Sequence, residues 1–486
     1  MTTSDIDSLA ALSPVFPEIA LALGALLFLL AGVLLLRREH SVAFAALAVT
    51  FLAALSALVI IRPDTGLLFN GGYVVDDFSR FMKALILGGS AAALLLSLAS
   101  ARRDGIARFE YAVLVMLATL GMMVMVSAAD LITLYIGLEL QSLALYVLAA
   151  MNRDSPRAAE AGLKYFVLGA LSSGMLLYGA SLIYGFTGQT QLGEIARVIA
   201  EQSGERSIGL VFGLVFVLAG LAFKVSAVPF HMWTPDVYDG APMPVTAFFA
   251  SAPKVAAMAL LIRVVADAFE PVTRDWQQIV IFLSIASMVL AAFAAIGQKS
   301  LKRLIAYSSI GHVGFALVGL SSATQVGVEG VAIYMAIYLV MTLGLFAAIL
   351  SLKRSDGSTV EDIADLAGLS QTQPFVAGII AIIMFSLIGL PPLAGFFAKW
   401  HVFLAAIEAQ LFVLAVIGVV ASAVSAFYYL RIVRTMYFDE PVHQYPAAPG
   451  ELTAVAAVSG VVVVTYFVTV GAPLAALARI AAESLF

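Results

Sequence analysis

At 486 residues the chain is long enough for two or three soluble domains, but its composition excludes them, because 62% of the residues are hydrophobic and only 12% are charged. The absence of Cys excludes iron–sulfur clusters held by thiolates of this chain, and five scattered His do not suit a multi-haem cytochrome. The net charge of -5 argues against nucleic acid as a partner.

Apolar runs separated by charged or turn-rich joints predict about fourteen membrane-spanning helices, each using ~20 residues. The predicted spans are 14–36, 41–61, 76–98, 109–127, 131–151, 161–186, 208–233, 243–266, 276–296, 301–320, 328–351, 374–407, 410–437 and 452–475. The sequence thus predicts an all-α polytopic membrane protein, with residues 1–486 in a single membrane domain.

Two of these spans contain a predicted break. Lys224 lies five residues before Pro229 in the seventh span, and Lys399 lies seven residues after Pro392 in the twelfth. Proline removes a backbone donor and kinks a helix, and the freed backbone groups are tolerated in a membrane only where protein or water satisfies them. Each break therefore predicts a hydrated cavity near a lysine.

The breaks occupy the fourth helix of spans 4–8 and the fourth helix of spans 9–13, which suggests two five-helix repeats. A unit of five helices reverses its direction across the membrane, so these repeats would be inverted. The domain then divides into three N-terminal helices (14–98), a first repeat (109–266), a second repeat (276–437) and a C-terminal helix (452–475).

The distribution of Lys and Arg predicts that both termini lie on the non-cytoplasmic side. In this orientation the inner joints hold fifteen basic residues and the outer joints five. The inner ones are Arg37, Arg38, Arg102, Arg103, Arg108, Arg153, Arg157, Lys164, Lys299, Lys302, Arg303, Lys353, Arg354, Arg431 and Arg434, and the outer ones are Arg62, Arg197, Arg206, Arg274 and Arg479.

Ionisable side chains inside the spans are candidates for function, because a charge at mid-bilayer costs at least ~2.5–3.5 kcal/mol. Glu139 and Lys254 lie well inside the fifth and eighth spans. Lys224 and Lys399 lie beside the two breaks, and Lys164 lies near the inner end of the sixth span.

Polar stripes accompany two of these spans. One helix face of the fifth span carries Tyr135, Glu139, Ser142 and Tyr146. Such a face should contact protein or water rather than lipid. Ser308 and His312 lie one turn apart in the tenth span, and Ser422 and Ser425 add polar groups to the thirteenth.

Each of these signals also has a structural interpretation. Glu139 and a buried Lys could form an ion pair that holds helices together, and His312 could be a satisfied packing residue. Lys164 could extend its charged end to the inner interface. The same snorkelling is the preferred interpretation of three basic residues near the outer boundary, namely Arg80, Lys83 and Arg263.

Proton transfer fits these groups better than binding of a large solute, for which the sequence has no pocket signature. A buried Lys releases its proton readily because desolvation disfavours the charged form, and a nearby carboxylate opposes that effect. Moving or neutralising one partner therefore changes the proton affinity of the other.

Four stretches carry a family resemblance that covers about residues 70 to 440. They are ADLITLYIGLELQSLALYVLAAM, FKVSAVPFHMWTPDVYDGAPMPVTAFFASAPKVA, SLKRLIAYSSIGHVGF and GLPPLAGFFAKWHVF. Together they resemble subunit N of bacterial NADH-quinone oxidoreductase, respiratory complex I. Individually they mark the wider antiporter-like group of membrane subunits, and Lys rather than Glu in the twelfth span favours subunit N over subunits L and M.

The resemblance implies a proton-translocating subunit without redox centres, since NADH, flavin, iron–sulfur clusters and quinone are bound by other subunits. It implies that Glu139 modulates Lys224 and that Lys254 is the central carrier. His312 would relay protons to Lys399, which would deliver them to the outer side. The less specific pathway candidate is Lys164, and no cofactor or metal is expected in this chain.

The resemblance further implies a place in the bacterial inner membrane with periplasmic termini, in contact with lipid, subunits M and K and the lateral helix of subunit L. Three alternatives remain open. The chain could belong to a multisubunit cation/proton antiporter or membrane-bound hydrogenase, or be a structural membrane subunit whose charges only pair helices, or move a small solute alone.

Overall fold

A computed structural model describes residues 12–35, 41–101, 104–201, 207–354, 359–446 and 449–486. Of the basic residues that set the predicted orientation, Arg37, Arg38, Arg102, Arg103 and Arg206 lie outside these described residues. The helices are α1 (Phe16–Leu35), α2 (Ser41–Ile61), α3 (Asp77–Leu98), α4 (Phe109–Val126), α5 (Leu131–Ala149), α6 (Pro156–Thr187), α7 (Leu192–Glu201), α8 (Ile208–Val225), α9 (Trp233–Gly240), α10 (Met243–Phe249), α11 (Ala252–Arg263), α12 (Thr273–Ile296), α13 (Leu301–Ser321), α14 (Gln325–Ser351), α15 (Leu369–Thr372), α16 (Pro374–Ile388), α17 (Ala394–Glu408), α18 (Phe412–Phe438), α19 (Gly450–Thr469) and α20 (Gly471–Glu483).

Within the described part of the chain, thirteen helical segments are long and apolar enough to cross a membrane. The predicted twelfth span completes the fourteen, because it is divided between the shorter helices α16 and α17. The predicted all-α polytopic fold is thus confirmed, with one small addition. Strands β1 (Gly66–Leu68) and β2 (Tyr73–Val75) form an antiparallel hairpin in the second joint, with Leu67 opposite Val74.

The two predicted helix breaks are present. In the seventh span α8 stops where Ser226 takes a left-handed backbone conformation with φ of 66°, and α9 follows after an irregular segment. In the twelfth span α16 stops at Gly389, whose φ is 93°. Glycine suits this conformation, and a Cβ there would lie 3.1 Å from Cδ of Lys399. Both half-helices therefore present their last carbonyls inside the protein.

The eighth span is also divided, contrary to the prediction of a single helix over 243–266. It consists of α10 and α11, separated by Ala250 and Ser251, and it ends in a π-helical turn at Val264–Ala268. Lys254 is therefore the third residue of α11 rather than the centre of a long helix. Pro253 was the available signal, because proline is tolerated in the first turn of a helix and not in its interior.

Alternate joints meet at opposite ends of the helices. At one end, Arg157 contacts Asp239 at 3.4 Å and Glu361 at 3.2 Å, which brings three joints together. At the other end, the Arg263 guanidinium donates to Asp76 and to the Val126 carbonyl, which joins three further segments. This is the alternation that the span count predicts, and the cytoplasmic position of the Arg157 end remains a prediction from the basic residues.

Three spans form the centre of the protein. The eighth span, α13 and α14 are almost entirely buried inside the chain, whereas most residues of α1, α2 and α19 are at least partly exposed. Large apolar side chains cover those exposed faces, which suits contact with lipid. Lys254 and His312 therefore lie on the most enclosed helices of the fold.

Two basic residues that were predicted to snorkel form buried ion pairs instead. The side chain of Lys83 is 2% exposed, and its Nζ lies 2.7 Å from Oε1 of Glu18 on α1. The equally buried Arg263 donates from Nη2 to both carboxylate oxygens of Asp76 at 2.8 Å. The snorkelling prediction is wrong for both, because carboxylates distant in the sequence reach them inside the protein.

The joint between α14 and α16 is held by Asp365. The backbone N–H groups of Glu361 and Asp362 donate to Oδ2 of Asp365 at 3.0 and 2.9 Å, and Arg354 forms an ion pair with its other oxygen. The Tyr445 hydroxyl donates to the Asp365 carbonyl at 2.6 Å. Burial opposes ionisation of this carboxyl, but the N–H donors and Arg354 outweigh it, so the pKa of Asp365 lies below its usual value.

Asp365→Asn is expected to loosen this joint by about 1–3 kcal/mol, because two backbone donors and Arg354 lose a charged acceptor. A lowered folded-state pKa adds stability above the unfolded pKa and loses it as pH falls through the folded value. Limited proteolysis should therefore cut this joint of Asp365→Asn at neutral pH, whereas the wild-type joint becomes sensitive only below about pH 4. Asp439→Asn, at an exposed position, serves as the control. Equal cleavage of wild type and Asp365→Asn would contradict the prediction.

Candidate functional site

Lys254 lies against the end of α8. Its Nζ donates to the Val225 carbonyl at 3.0 Å and to the Ser226 hydroxyl, and it lies 5.3 Å from the centre of the Trp233 ring. The Thr234 hydroxyl donates to Ser226 Oγ at 2.7 Å. The last carbonyls of a helix carry partial negative charge. The helix break therefore supplies an electrostatic partner to an ammonium group whose residue is only 1% exposed.

Lys399 occupies the corresponding place at the end of α16. Its Nζ donates to the carbonyls of Leu387 and Ile388 at 3.1 and 2.8 Å. The Ser422 hydroxyl accepts a third bond at 2.7 Å, and the centre of the Phe315 ring lies 4.5 Å away. The two broken spans thus share one arrangement, in which a lysine ammonium contacts the last carbonyls of the first half-helix.

His312 is enclosed by tyrosine hydroxyls. Nδ1 lies 2.6 Å from the Tyr334 hydroxyl, and Nε2 lies 3.1 Å from the Tyr429 hydroxyl. Tyr429 also lies 2.5 Å from the Ser308 hydroxyl, so the two polar residues predicted to share a face of the tenth span meet the same partner. An imidazole bonded on both nitrogens can accept a proton on one side and release one on the other.

Glu139 and Lys224 are neighbours through Ser142 rather than a direct ion pair. The Lys224 ammonium donates to Ser142 Oγ at 2.7 Å, one helix turn from Glu139, and the Ser173 hydroxyl donates to Glu139. Lys224 also lies 5.9 Å from the centre of the Tyr146 ring. Three members of the predicted polar stripe therefore lie near Lys224, namely Glu139, Ser142 and Tyr146.

Lys164 belongs to a separate charge cluster near the helix ends where Arg157 lies. Its side chain is 42% exposed, and its Nζ lies 2.9 Å from Asp236 and 2.7 Å from Glu160. Arg303 contacts the other Asp236 oxygen at 2.7 Å. The structure thus places Lys164 beside α9 and α13 rather than with the deeply buried lysines.

The buried basic side chains are of two kinds. Lys83 and Arg263, at the helix ends opposite to Arg157, form ion pairs with carboxylates. Lys224, Lys254 and Lys399 contact hydroxyls, backbone carbonyls and aromatic rings, and none of them has an ion pair with a carboxylate of the described residues. A buried charge without a counter-ion is costly, so helix-pairing does not explain these three lysines. In the same described part of the chain, no three His, Asp or Glu side chains are placed to hold a metal ion.

The sequence identified the three buried lysines and His312, but only two of the five hydroxyls that contact them, Ser142 and Ser422. Ser422 was recognised as part of a polar face, and it does contact Lys399. Ser226, Tyr334 and Tyr429 were not recognised, although each is a polar residue within an otherwise apolar stretch. The i,i+4 spacing of Tyr334 and Tyr338 was a signal that one face of α14 is polar.

Comparison with known proteins gives this site a family context. The family model described as "NADH:quinone oxidoreductase/Mrp antiporter, TM" matches residues 128–425. NADH-quinone oxidoreductase subunit N 1 of Rhizobium meliloti (strain 1021) is 57% identical over 98% of this chain and 99% of its own length. Subunit N of Parvibaculum lavamentivorans is 60% identical over 94% of each chain. This chain belongs to the subunit N family of NADH-quinone oxidoreductase.

Solved structures share the fold of this chain. A chain in the structure of respiratory complex I from Thermus thermophilus with bound aureothin is 32% identical, with a TM-score of 0.81 over 96% of this chain and all of that one. A chain of the Mrp complex from Dietzia sp. DQ12-45-1b is 23% identical, with a TM-score of 0.84 over 96% of this chain and 97% of that one, and it shows the shared fold. The resemblance that the four motifs suggested is therefore confirmed.

Proposed function

We propose that this chain translocates protons as subunit N of a bacterial NADH-quinone oxidoreductase, coupled to NADH:quinone electron transfer in other subunits. The observation that carries the proposal is the burial of Lys254 and Lys399 against helix-end carbonyls and hydroxyls, without an ion pair to the described carboxylates. Such an amine can exist protonated or neutral, whereas a lysine in a buried ion pair is held in its protonated form.

The path we propose runs from Lys224 through Lys254 and His312 to Lys399. The last part of this path is supported by the position of Phe315. Its ring centre lies 6.1 Å from that of His312, and the Lys399 ammonium lies over the same ring. Hydroxyls line the other parts of the path, and water between them would complete a hydrogen-bonded chain. Proton movement along such a chain needs no redox centre in this subunit.

Two further groups act at the beginning of this path. Glu139, one turn from the Ser142 hydroxyl that holds Lys224, would set the proton affinity of Lys224 by its charge. Lys164 is the less specific candidate, since it pairs with Asp236 at the inner end of the spans. A change in the Glu139–Lys224 separation would alter the readiness of Lys224 to release its proton.

The proposal places the chain in the bacterial inner membrane with both termini in the periplasm, as the distribution of Lys and Arg predicts. Neighbours would be subunits M and K and the lateral helix of subunit L. NADH, flavin, iron–sulfur clusters and quinone would be bound by other subunits. The apolar faces of α1, α2 and α19 are suited to lipid or to these neighbours.

Glu139→Gln and Lys399→Met test the function in the assembled complex reconstituted in liposomes. Each is expected to lower proton pumping at normal assembly, Lys399→Met by at least about tenfold, because a positioned acid–base group contributes ~10²–10⁴ to proton transfer. Glu408→Gln, an exposed acidic position at the end of the helix that carries Lys399, should pump like wild type. Wild-type pumping by Glu139→Gln and Lys399→Met would refute the function.

The same measurement separates the alternatives. A structural subunit predicts altered assembly with unchanged pumping per assembled complex. The fold shared with the Mrp complex keeps a cation/proton antiporter as a second candidate. That candidate predicts that proton movement requires Na⁺ or K⁺ on the opposite side, whereas the proposed function requires only NADH and quinone.

A further inference from the structure

Joints at the inner end of the helices line a partly open polar cavity of about 290 Å³. Its charged and amide lining consists of Asp104, Asn152, Arg157, Asp239, Lys302 and Glu361. At about 30 Å³ for each water, it has room for several water molecules. Because carboxylates and basic groups both line it, it suits water and protons better than an anion or a cation of fixed charge.

Lys302 is the buried titratable group of this cavity, and the path above does not use it. It is the second residue of α13 and is 7% exposed. Its Nζ donates to the Ala241 carbonyl at 2.9 Å, which occupies one of the three donors of an ammonium group. Across the cavity, Asp239 is held by the Ser300 hydroxyl at 2.6 Å.

Polar groups continue from Lys302 toward the centre of the protein. Ser309 lies two turns further along α13 and His312 one turn beyond it, so the three share a face over about 15 Å. The Tyr338 hydroxyl donates to Ser309 Oγ at 2.9 Å, and the rings of Tyr338 and His312 lie 5.6 Å apart. The fully buried Tyr238 of α9 lies beside Ser309 and Tyr338.

We propose that this cavity is a proton inlet that leads to His312 without passing Lys224, and that Lys302 transfers protons from the cavity water to the hydroxyls of Tyr238, Ser309 and Tyr338. The inference rests on the proposed function and adds an uptake route to it. In each transfer the neutral amine of Lys302 takes a proton from the cavity water, which regains one from the inner solution. Each hydroxyl then accepts one proton and releases its own, and His312 receives the last, so that only N–H and O–H bonds form and break.

Blocking the cavity after assembly tests the route without changing an ionisable group. The chain has no Cys, so Thr359→Cys places its only thiol in the cavity lining. In inverted vesicles, where the inner face is accessible, a membrane-impermeant methanethiosulfonate that carries a trimethylammonium group can fill the cavity. Treated Thr359→Cys should pump more slowly than the same variant untreated, with the remaining protons entering at Lys224.

Matched controls accompany this block. Lys299→Cys, exposed in the neighbouring joint and absent from the cavity lining, should pump equally before and after treatment. Treatment of the parent complex, which lacks the introduced thiol, measures any effect of the reagent on thiols of the other subunits. NADH oxidation by a water-soluble electron acceptor should remain unchanged in every sample, because it uses only the electron-input part of the complex.

Lys302→Met and Lys302→Arg separate proton transfer from structure. Arg can still donate to the Ala241 carbonyl but does not release its proton, so a structural role is rescued by Arg and a transfer role is not. Both variants should pump more slowly than wild type and equally with each other, because only the route through Lys224 remains.

Normal pumping by treated Thr359→Cys, or by Lys302→Arg, would overturn the inlet. A loss with Lys399→Met in the same preparations would then leave the proposed function standing, whereas normal pumping with Lys399→Met as well would remove both.

Discussion

Lys254→Met is expected to remove the proton translocation that enters at Lys224, while the complex still assembles. The substitution removes the carrier, whose loss should slow proton transfer by ~10²–10⁴. Assembly should survive because the Lys254 ammonium contacts the Val225 carbonyl and the Ser226 hydroxyl rather than a described carboxylate, so no buried counter-ion is left alone. The prediction is tested by measuring proton pumping per assembled complex in liposomes.

Lys254→Arg distinguishes a role in proton transfer from a structural role. Arginine keeps the positive charge and can donate to the same carbonyl, but it stays protonated at every relevant pH. If Lys254 only stabilises the end of α8, Lys254→Arg should retain pumping. If Lys254 carries protons, Lys254→Arg should be as inactive as Lys254→Met. Wild-type pumping by Lys254→Arg would therefore remove Lys254 from the path.

Arg263→Met is expected to cause the largest loss of stability, about 3–5 kcal/mol, because it breaks a buried ion pair and leaves carboxylates without their partner. Arg263 joins α11 to Asp76 before α3, to the Val126 carbonyl at the end of α4 and to Asp267 in the π-helical turn. The temperature at which the purified complex dissociates, together with the yield of complex, measures the effect.

Two variants control for this loss. Arg80→Met breaks a partly exposed pair with Asp77, so it should cost about 0–1 kcal/mol. Adding Asp76→Asn to Arg263→Met should restore part of the stability, because it removes one of the buried charges that the first change left unpaired. A dissociation temperature for Arg263→Met equal to that of Arg80→Met would contradict a stabilising role for the Arg263 ion pairs.

The membrane-spanning fold follows from the sequence because each span is an apolar run bounded by charges, and such runs have few alternatives in a bilayer. The breaks beside Pro229 and Pro392 were predictable for a local reason, since proline cannot continue a helix. The break at Ser251 was not predicted, because Pro253 resembles the other membrane-helix prolines unless it is recognised as belonging to a first helix turn.

The ionisable residues of the site were predictable from the sequence, whereas the groups they contact were not. Glu139, Lys224, Lys254, His312 and Lys399 stand out because an ionisable group in an apolar run is rare. Their partners lie far away in the sequence, as Tyr429 does from His312, so a single sequence does not show which hydroxyl meets which ionisable group. For the same reason Lys83 could not be matched with Glu18, and its burial contradicted the expectation of snorkelling.

Lys254 and Lys399 each contact the end of a preceding helix, but very different lengths of chain separate each lysine from that helix end. Lys399 contacts carbonyls eleven and twelve residues before it, across the short segment that joins α16 to α17. Lys254 contacts groups 28 and 29 residues before it, with α9 and α10 in between. A rigid-body shift of α11 relative to α8 would therefore open the Lys254 contact, whereas the Lys399 contact moves with its own span. The Lys254 contact is therefore the more sensitive of the two to movement between the half-helices that form it.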